Sequence, residues 1–513
     1  PTLQQIRDLG AGVVRVSVHW NAVAPSRRHV GFNPRDPASY PDASWATYDQ
    51  IVLDALQDGI TVDLSVTGPA PVWATGSGQP KPGGYGEWKP SAAEFKAFVQ
   101  AVGTRYSGTY DPALGQSMPG DPKALPRVGF WELWNEPNFG MDLAPQAIRG
   151  STVSTSPSMY RSLLDAGWSA LQSTGHRHDT VVIGNLDARG QSAAASRGAP
   201  DGLPGNFGAT KPMQFLRTLY CVDSSYKQLR GGAAAAVGCP TSPAGSRGFR
   251  SAHPALFRAS GFATHPYPVN LPPTQASSTD PDYTEFNELP RFAGALDRLQ
   301  RIYGSGTHFP IYNNEYGYIS DPPNRSLTSP AHSHFVSPAT AAYYVNWAEY
   351  LSYRSPRIAS AMQYLLYDPN PRKAPEFGGF ASGLIFSSGV RKPGYDAYRL
   401  PLFLPVTTAR SPGQGLEVWG CLRPAHYARV DTSLTQHVQI QFQRGSRGAF
   451  TTLRTVTVTS PRGYFDLHVS FPASGSVRLA WTYPTGDPLL GPGLVNPREG
   501  TTVYSRTTSV TVK

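Results

Sequence analysis

Long apolar runs are absent from this sequence of 513 residues. No stretch approaches the ~20 consecutive apolar residues that a membrane-spanning helix needs, so no membrane span is expected. Metal-ligand spacing is absent as well. The two His-x-His pairs, His176/His178 and His332/His334, lie in polar, loop-like sequence without a Cys or carboxylate at ligand spacing. The sequence therefore predicts neither a metal site nor a cofactor.

Lysine is scarce: only nine of the 45 Lys and Arg residues are Lys. No Lys/Arg-rich run marks a nucleic-acid-binding surface, so no nucleic-acid partner is expected. Arg in place of Lys, together with abundant Ala, Gly and Pro, is typical of a high-GC genome. The net charge of +10 is therefore attributed to composition, and a bacterial source is expected.

Cysteine is also rare, with three in the chain. Cys221 and Cys239 flank a Gly/Ala-rich segment, whereas Cys421 lies far away. We predict a Cys221–Cys239 disulfide over the catalytic face and an unpaired Cys421, an arrangement that favours a secreted, extracellular enzyme. No signal peptide is visible, and the chain opens at Pro1 rather than Met, as it would after removal of a leader.

The chain is too long for one ordinary domain, and its apolar content of 40% is enough for real cores. Strand-like and helix-like patterns alternate up to about residue 400, which indicates a parallel sheet. The predicted fold class is α/β, a (β/α)8 TIM barrel over residues 1–400, with its chemistry at the C-terminal ends of the strands. Strands are predicted at 13–18, 61–66, 127–134, 180–186, 262–265, 310–314 and 358–367, and helices at 2–9, 45–57, 91–106, 158–173, 288–303 and 338–353.

Two stretches interrupt this alternation, residues 187–261 and 270–287. Loops of this length in a compact domain are usually functional or disordered. Both follow predicted strands, so both are expected to overhang the catalytic face.

From about Pro401 the pattern changes to short alternating runs separated by turns. This pattern predicts a C-terminal Ig-like β-sandwich over residues 401–513. Its aromatic residues can be either sandwich core or a sugar-binding platform, and alternation favours the core. These residues are Trp419, Tyr464, Phe465 and Trp481.

Two apolar runs end abruptly in a carboxylate, residues 130–137 (FWELWNEP) and 310–317 (PIYNNEYG). Cleavage of a glycosidic bond needs two carboxyl groups, one to protonate the leaving oxygen and one to attack the anomeric carbon or activate water. Glu136 and Glu315 are the candidates for this pair.

The motif Asn135-Glu136-Pro137 at a strand end, with Glu315 at a later one, resembles the retaining glycoside hydrolases of clan A. The resemblance covers roughly residues 1–400 and is greatest to glycoside hydrolase family 39, with families 5 and 51 as close competitors. The upstream residues that carry it are Leu9, Gly10, Val14, Arg15, Val16, Trp20, Tyr48, Asp49, Gly59, Ile60, Pro71, Trp73 and Ala74.

The resemblance implies that Glu136 is the general acid/base and Glu315 the nucleophile. Arg15 would hold and orient Glu315, and Asn135 would bond the substrate 2-hydroxyl. These roles also make independent sense. A nucleophile that must stay ionised needs Arg and hydroxyl donors, whereas an acid that must stay protonated needs apolar walls, such as that of Trp134, and a nearby negative charge.

His265 and Tyr267 match the clan's His-x-Tyr at its sixth strand, where the Tyr contacts the nucleophile. Five further residues at predicted strand ends are candidates for substrate binding. For the Trp residues among them, core packing is the alternative to sugar stacking. They are His19, Trp20, Trp73, Trp134 and Tyr367.

The sequence departs from the clan pattern in one respect. Only two clear strands precede the strand of Glu136, whereas the clan has three, so either the first strand lies before Pro1 or another segment fills its place. The predicted function is hydrolysis of a plant or microbial glycan, with an arabinofuranoside, xyloside or glucoside as substrate. A transglycosidase and a catalytically inactive carbohydrate-binding barrel are the alternatives, and the oligomeric state stays open.

Overall fold

The computed structural model describes residues 2–80, 85–116, 120, 123–147, 151, 153–191, 204–320, 335–370, 380–485 and 499–513. Its central feature is a sheet of seven parallel strands whose order in space follows their order in the chain. The strands are β1 Val13–His19, β2 Thr61–Thr67, β3 Phe130–Leu133, β4 Thr180–Asp187, β5 Gly261–His265, β6 Ile311–Tyr316 and β7 Ile358–Gln363.

The parallel α/β prediction is confirmed, with every predicted strand of residues 1–400 in place. Each neighbouring pair in the sheet is parallel, which is the arrangement of a (β/α)8 barrel. Within the described residues the sheet runs from β1 to β7 without closing. An eighth strand of this sheet is not among the described residues.

Helices follow the strands and cover the outside of the sheet. Ser91 caps the helix that begins at Ala92, because its hydroxyl accepts a hydrogen bond from the Glu94 amide. The helices are α1 Thr2–Asp8, α2 Trp20–Val23, α3 Asp42–Gln57, α4 Ala92–Arg105, α5 Ser156–Ser173, α6 Pro212–Leu219, α7 Gly231–Ala236, α8 Pro243–Ala252, α9 Ala255–Arg258, α10 Leu289–Ile302, α11 Pro338–Arg354, α12 Pro393–Arg399 and α13 Ala425–Thr432. None of the helices in the described residues is long and apolar enough for a membrane span.

The segment 187–261 differs from its prediction as a loop over the catalytic face. Its described part contains α6 to α9, which pack beside α5 and α10 in the outer layer. The Cys221–Cys239 disulfide is confirmed, but it lies on this flank of the barrel. Arg161 of α5 donates to Cys221 Sγ at 3.1 Å, and Tyr303, just after α10, donates to the carbonyl of Tyr220. The predicted position of this segment was wrong, because short Gly/Ala-rich helices have too little periodicity to be predicted from the sequence.

Residues 401–513 form two small sheets that share one apolar cluster. A three-stranded antiparallel sheet has the order β8-β10-β13, and a six-stranded sheet has the order β9-β16-β14-β11-β12 with β15 beside β14. The strands are β8 Leu402–Phe403, β9 Thr408–Ala409, β10 Gly415–Cys421, β11 His437–Arg444, β12 Thr451–Thr457, β13 Tyr464–Ser470, β14 Gly475–Thr482, β15 Thr502–Tyr504 and β16 Thr508–Val512. Cys421 is a buried free thiol, as predicted.

The aromatic residues of this C-terminal part are mostly internal, as alternation indicates. Phe465 and Trp481 belong to the shared cluster, and Trp419 is fully buried against Tyr350 of α11. A buried ion pair joins Arg423 to Glu349, also on α11, at 2.6 Å. The C-terminal sheets therefore pack directly on the barrel.

Candidate active site

The candidate site lies at the C-terminal ends of β1, β3, β5 and β6. The chain leaves β3 through a sharp turn in which Trp134 and Glu136 have φ angles of 72° and 33°. Positive φ is uncommon for residues other than Gly and costs of order 1–3 kcal/mol, and such strain clusters at functional sites. The turn is held by Asn185 of β4, whose amide donates to the Trp134 carbonyl at 2.7 Å.

Arg15 of β1 connects the residues at the centre of the site. Its Nη1 donates to Glu315 Oε1 at 2.6 Å, its Nε donates to Glu132 Oε2 at 2.6 Å, and its Nη2 donates to Asn135 Oδ1 at 2.9 Å. Burial opposes the charge of Arg15, but the charges of Glu132 and Glu315 outweigh it and raise the pKa of the guanidinium. Arg15 therefore stays a fixed cation.

Glu315, in β6, accepts hydrogen bonds on both of its carboxyl oxygens. Besides Arg15 on Oε1, the Tyr267 hydroxyl donates to Oε2 at 3.0 Å. Burial raises the pKa of Tyr267 well above its ordinary value, and the charge of Glu315 adds to this, so the phenol keeps its proton. Two fixed donors on two oxygens are the environment of a carboxylate rather than of a carboxylic acid.

Glu136 has the opposite surroundings. Burial raises the pKa of Glu136 well above its ordinary value, and the charges of Asp187 and Glu315 raise it further. Its recorded side-chain partner is His265, whose Nδ1 lies 2.7 Å from Glu136 Oε1. Glu136 therefore holds a proton under conditions in which an exposed Glu has lost it.

His265 lies between the two glutamates and is fully buried. Its Nδ1 is 3.5 Å from Glu315 Oε2 in addition to its contact with Glu136. Burial lowers the pKa of His265, which keeps the imidazole neutral at neutral pH. A neutral ring can donate a hydrogen bond to a carboxylate or accept one from a carboxylic acid without adding charge to the site.

One oxygen of Glu136, one oxygen of Glu315 and a ring nitrogen of His265 all lie within 4.8 Å of one another. Retaining glycosidases hold their two carboxyl groups about 5–5.5 Å apart, whereas inverting enzymes hold them about 6.5–9.5 Å apart. The two glutamates are thus at the shorter spacing. Three such ligand atoms could also surround a metal ion, which metal addition and removal can test.

Five predicted site residues take other positions. Trp20 and Trp134 are fully buried, so the prediction that they bind substrate is wrong; Trp20 stacks on Phe98, and Trp134 packs edge-on against Phe95. Both rings belong to the barrel core, because the helix α4 covers them.

Trp73 is half-buried and donates from Nε1 to the Pro25 carbonyl, and the exposed His19 contacts the Gly68 carbonyl. Neither has a recorded contact with Glu136 or Glu315 in the described residues. The Tyr367 hydroxyl is bonded to Gln5 of α1, and the role of Tyr367 in substrate binding stays a prediction.

An aromatic wall that was not predicted from the sequence lies beside Glu315. Tyr364 follows β7, and its ring lies 6.4 Å from that of Tyr267 and 5.6 Å from that of Phe380. Burial and the charges of Glu315 and Glu136 raise the pKa of Tyr364, which places it at the site. Its position three residues before Tyr367, at the strand end itself, was the available signal.

Two acidic residues were missed as well. Asp142 accepts a hydrogen bond from Asn135 Nδ2 at 3.1 Å, so Asn135 is held on one side by Arg15 and on the other by Asp142. Asp187 is the last residue of β4, and its charge is the largest charge contribution that raises the pKa of Glu136. The signal for Asp187 was its position at a strand end.

No protein-family model and no curated protein matches the chain. Solved structures similar to it include a glucosidase from Croceicoccus marinus, with 11% identity, a TM-score of 0.43, and coverage of 99% of this chain and 89% of that one. A family 1 β-glucosidase from Thermotoga maritima has 13% identity and a TM-score of 0.42, over 77% of this chain and 84% of that one. An exo-β-1,4-mannosidase from Opitutaceae bacterium strain TAV5 has 15% identity and a TM-score of 0.37, over 77% of this chain and 53% of that one.

The chain thus spans about half the length of the mannosidase. The proteins named are glycoside hydrolases by description. All three TM-scores lie below 0.5, and the function proposed next is carried by the side-chain geometry of the site alone.

Proposed function

We propose that the chain is a retaining glycoside hydrolase in which Glu315 is the nucleophile and Glu136 the general acid/base. The observation that carries this proposal is the contrast between two neighbouring glutamates. Both oxygens of Glu315 accept hydrogen bonds from fixed donors, Arg15 and Tyr267. Glu136, whose nearest oxygen is within 4.8 Å, has a raised pKa. Such a difference in surroundings supports the acid role for Glu136 and the nucleophile role for Glu315.

In the first step a Glu315 oxygen attacks the anomeric carbon while the Glu136 proton passes to the departing glycosidic oxygen. The glycosidic bond breaks, and a covalent glycosyl-enzyme forms on Glu315. In the second step Glu136, now a carboxylate, takes a proton from water, and that water displaces Glu315 from the sugar. Arg15 and Tyr267 hold Glu315 through both steps, and Asn135 is placed to bond the 2-hydroxyl.

The resemblance of the sequence to clan A and its family 39 supports a more specific proposal. The substrate would be an arabinofuranoside, xyloside or glucoside of a plant or microbial glycan, and the enzyme would be exported, as the Cys221–Cys239 disulfide favours. The chain would divide into a barrel over 1–400 and an Ig-like β-sandwich over 401–513.

The test uses aryl glycosides, beginning with α-L-arabinofuranoside, β-xyloside and β-glucoside. Glu315→Ala should abolish turnover of every substrate, and azide should restore turnover with an azide product of inverted configuration. Glu136→Ala should spare the first step with dinitrophenolate, because this leaving group needs no protonation. Glu94→Ala, on the outer helix α4, is the matched control and should leave the kinetics unchanged.

Identical behaviour of the two site variants on the activated substrate would contradict the assigned roles. Addition of an alcohol or sugar acceptor separates a hydrolase from a transglycosidase by product ratio. A binding barrel would retain glycan affinity with no turnover in any assay, and loss of activity on chelation would favour a metal site instead.

A further inference from the structure

A second pair of carboxyl groups lies inside the barrel below the candidate catalytic residues. In the strand register Arg15 of β1 pairs with Asp63 of β2, and Ser65 of β2 pairs with Glu132 of β3. Asp63 and Ser65 are two residues apart, so their side chains share one face of β2. Arg15 donates to both Ser65 and Glu132, which makes this the inner face of the barrel.

The two carboxyl groups differ in their partners. Glu132 is fully buried, and each of its oxygens accepts a hydrogen bond, one from Arg15 Nε and one from Asn314 Nδ2. Asp63 is also fully buried, and in the described part of the chain neither of its oxygens has a donor; its side-chain contact is with the carboxyl group of Glu132. An ionised Asp63 would be an unpaired buried charge, which costs several kcal/mol.

A proton on Asp63 resolves this difference. A protonated carboxyl becomes a donor, and Glu132 has lone pairs left to accept, since an ionised carboxylate offers about four. Burial and the charge of Glu132 raise the pKa of Asp63 well above its ordinary value. Burial opposes ionisation of Glu132 as well, but Arg15 outweighs it and the pKa of Glu132 is lowered. The pair thus holds one proton and one negative charge.

We propose that Asp63 and Glu132 form a buried pair that shares one proton, and that this pair positions the Arg15 guanidinium against Glu315. The second half of the proposal depends on the nucleophile role proposed above for Glu315, whereas the first half does not. Asp63 and Glu132 are positioning residues, since they act on the site through Arg15.

The geometry shows how the pair acts. The planar guanidinium is held at Nε by Glu132 and at Nη2 by Asn135, which aims Nη1 at Glu315. Arg15 lies 2.6 Å from both Glu132 and Glu315. The negative charge of Glu132 opposes the stabilisation that Arg15 gives to the charge of Glu315. Glu132 therefore limits how strongly Arg15 stabilises the charge of the nucleophile.

The titratable groups that face this pair come from several elements. Arg15 lies on β1, Glu315 and Tyr312 on β6, His265 on β5 and Tyr160 on α5. Burial raises the pKa of both tyrosines and lowers that of His265, so all three are neutral near pH 7. Arg15 is then the cation that the two carboxylates, Glu132 and Glu315, share.

Glu132→Gln is the perturbation that removes the charge and keeps the shape. Without the negative charge of Glu132, Arg15 stabilises the carboxylate of Glu315 more strongly. The acidic limb of kcat/KM should therefore shift to lower pH, and Glu315 should become a weaker nucleophile. The expected loss in kcat is up to about 100-fold, because the neutral Gln holds the guanidinium less firmly and a displacement of about 1 Å at a reacting group has an effect of this size. KM should change little, because Glu132 is buried and does not reach the substrate.

Asp63→Asn is the matched control, because Asn keeps a donor for Glu132 and cannot ionise. It should retain the wild-type pH profile and kcat, whereas Asp63→Ala, which removes the donor but leaves the charge of Glu132, should lower kcat without the shift of the acidic limb. Circular dichroism and thermal unfolding confirm that each variant is folded. Loss of activity in Asp63→Asn equal to that in Glu132→Gln would overturn the shared proton, and an unshifted acidic limb in a folded Glu132→Gln would overturn the positioning role.

Infrared spectroscopy tests the proton without any assay of activity. The spectrum of wild type minus Asp63→Asn at neutral pH should contain the carbonyl band of one protonated carboxylic acid. A carboxylate band in its place would show that Asp63 is ionised and would overturn the pair. If the band is present but Glu315→Ala leaves turnover intact, the proposed nucleophile is wrong while the carboxyl pair stands.

Discussion

Removal of Arg423 should loosen the C-terminal sheets from the barrel. Arg423 Nη2 lies 2.6 Å from Glu349 Oε2 of α11, and Tyr464 donates to the other oxygen of Glu349 at 2.9 Å. The side chains of Arg423 and Glu349 are 12% and 5% exposed, so the pair is largely screened from water. Breaking a buried pair by deleting one partner costs about 3–5 kcal/mol, because the other charge stays buried without compensation. We expect this loss for Arg423→Met.

A double-mutant cycle with Glu349→Gln separates the ion pair from ordinary packing. Gln still accepts from Tyr464, so the double variant has no unpaired buried charge. The interaction energy between the two sites should be about 2–3 kcal/mol, near the upper end for residues in direct contact. Arg354→Met is the control on the same interface. Arg354 contacts Asp466 at 3.2 Å but is 55% exposed, so its loss should be at most about 1 kcal/mol.

Urea unfolding followed by tryptophan fluorescence is the assay. Trp419 is fully buried at this interface, with its ring 5.7 Å from that of Tyr350 on α11, so it contributes to the change in emission of the ten tryptophans on unfolding. A loss below about 1 kcal/mol for Arg423→Met would refute the reasoning, since it is no larger than for a surface pair. Additive losses in the double variant would refute it as well.

Two further predictions concern the acid/base and the disulfide. Asp187→Asn removes the largest charge contribution to the raised pKa of Glu136, so that pKa should fall. The alkaline limb of kcat/KM should then shift to lower pH for poor leaving groups. An unchanged alkaline limb would contradict this electrostatic role of Asp187. The Cys221→Ser/Cys239→Ser variant should lose about 3 kcal/mol of unfolding free energy, since the bridge closes a loop with a sequence separation of 18. Reductant should produce the same loss in the wild type, and thiol titration of the native protein should detect no free Cys other than Cys421; a stability unaffected by reductant would contradict the estimate.

The strands and the two glutamates could be predicted because their signals are local. An apolar run that ends at Glu136 or Glu315 is visible within eight residues of sequence, and parallel strands bring such ends to one edge. The helices α6 to α9 could not be predicted in the same way. Their Gly- and Ala-rich sequence has weak periodicity, and packing against α5 and α10 stabilises them instead.

Aromatic residues show the same division. The sequence places Trp20, Trp134 and Tyr367 near strand ends but does not say which way a ring points. In the structure Trp20 and Trp134 are buried under α4, and the Tyr367 hydroxyl is bonded to α1. Tyr364 lies beside Glu315. Side-chain direction at an irregular turn depends on the residues that pack against it, and these are distant in the chain.

The sequence by itself determined the parallel sheet, the identity of the two catalytic candidates and the cysteine pairing. The tertiary structure alone decided the surroundings of these two residues and the raised pKa of Glu136, because a pKa depends on burial and on charges brought close in space. Arg15 and Glu315 are 300 residues apart in the chain, and Glu132 and Asn314 are 182 apart. No local pattern contains these contacts, which join residues that are distant in the chain.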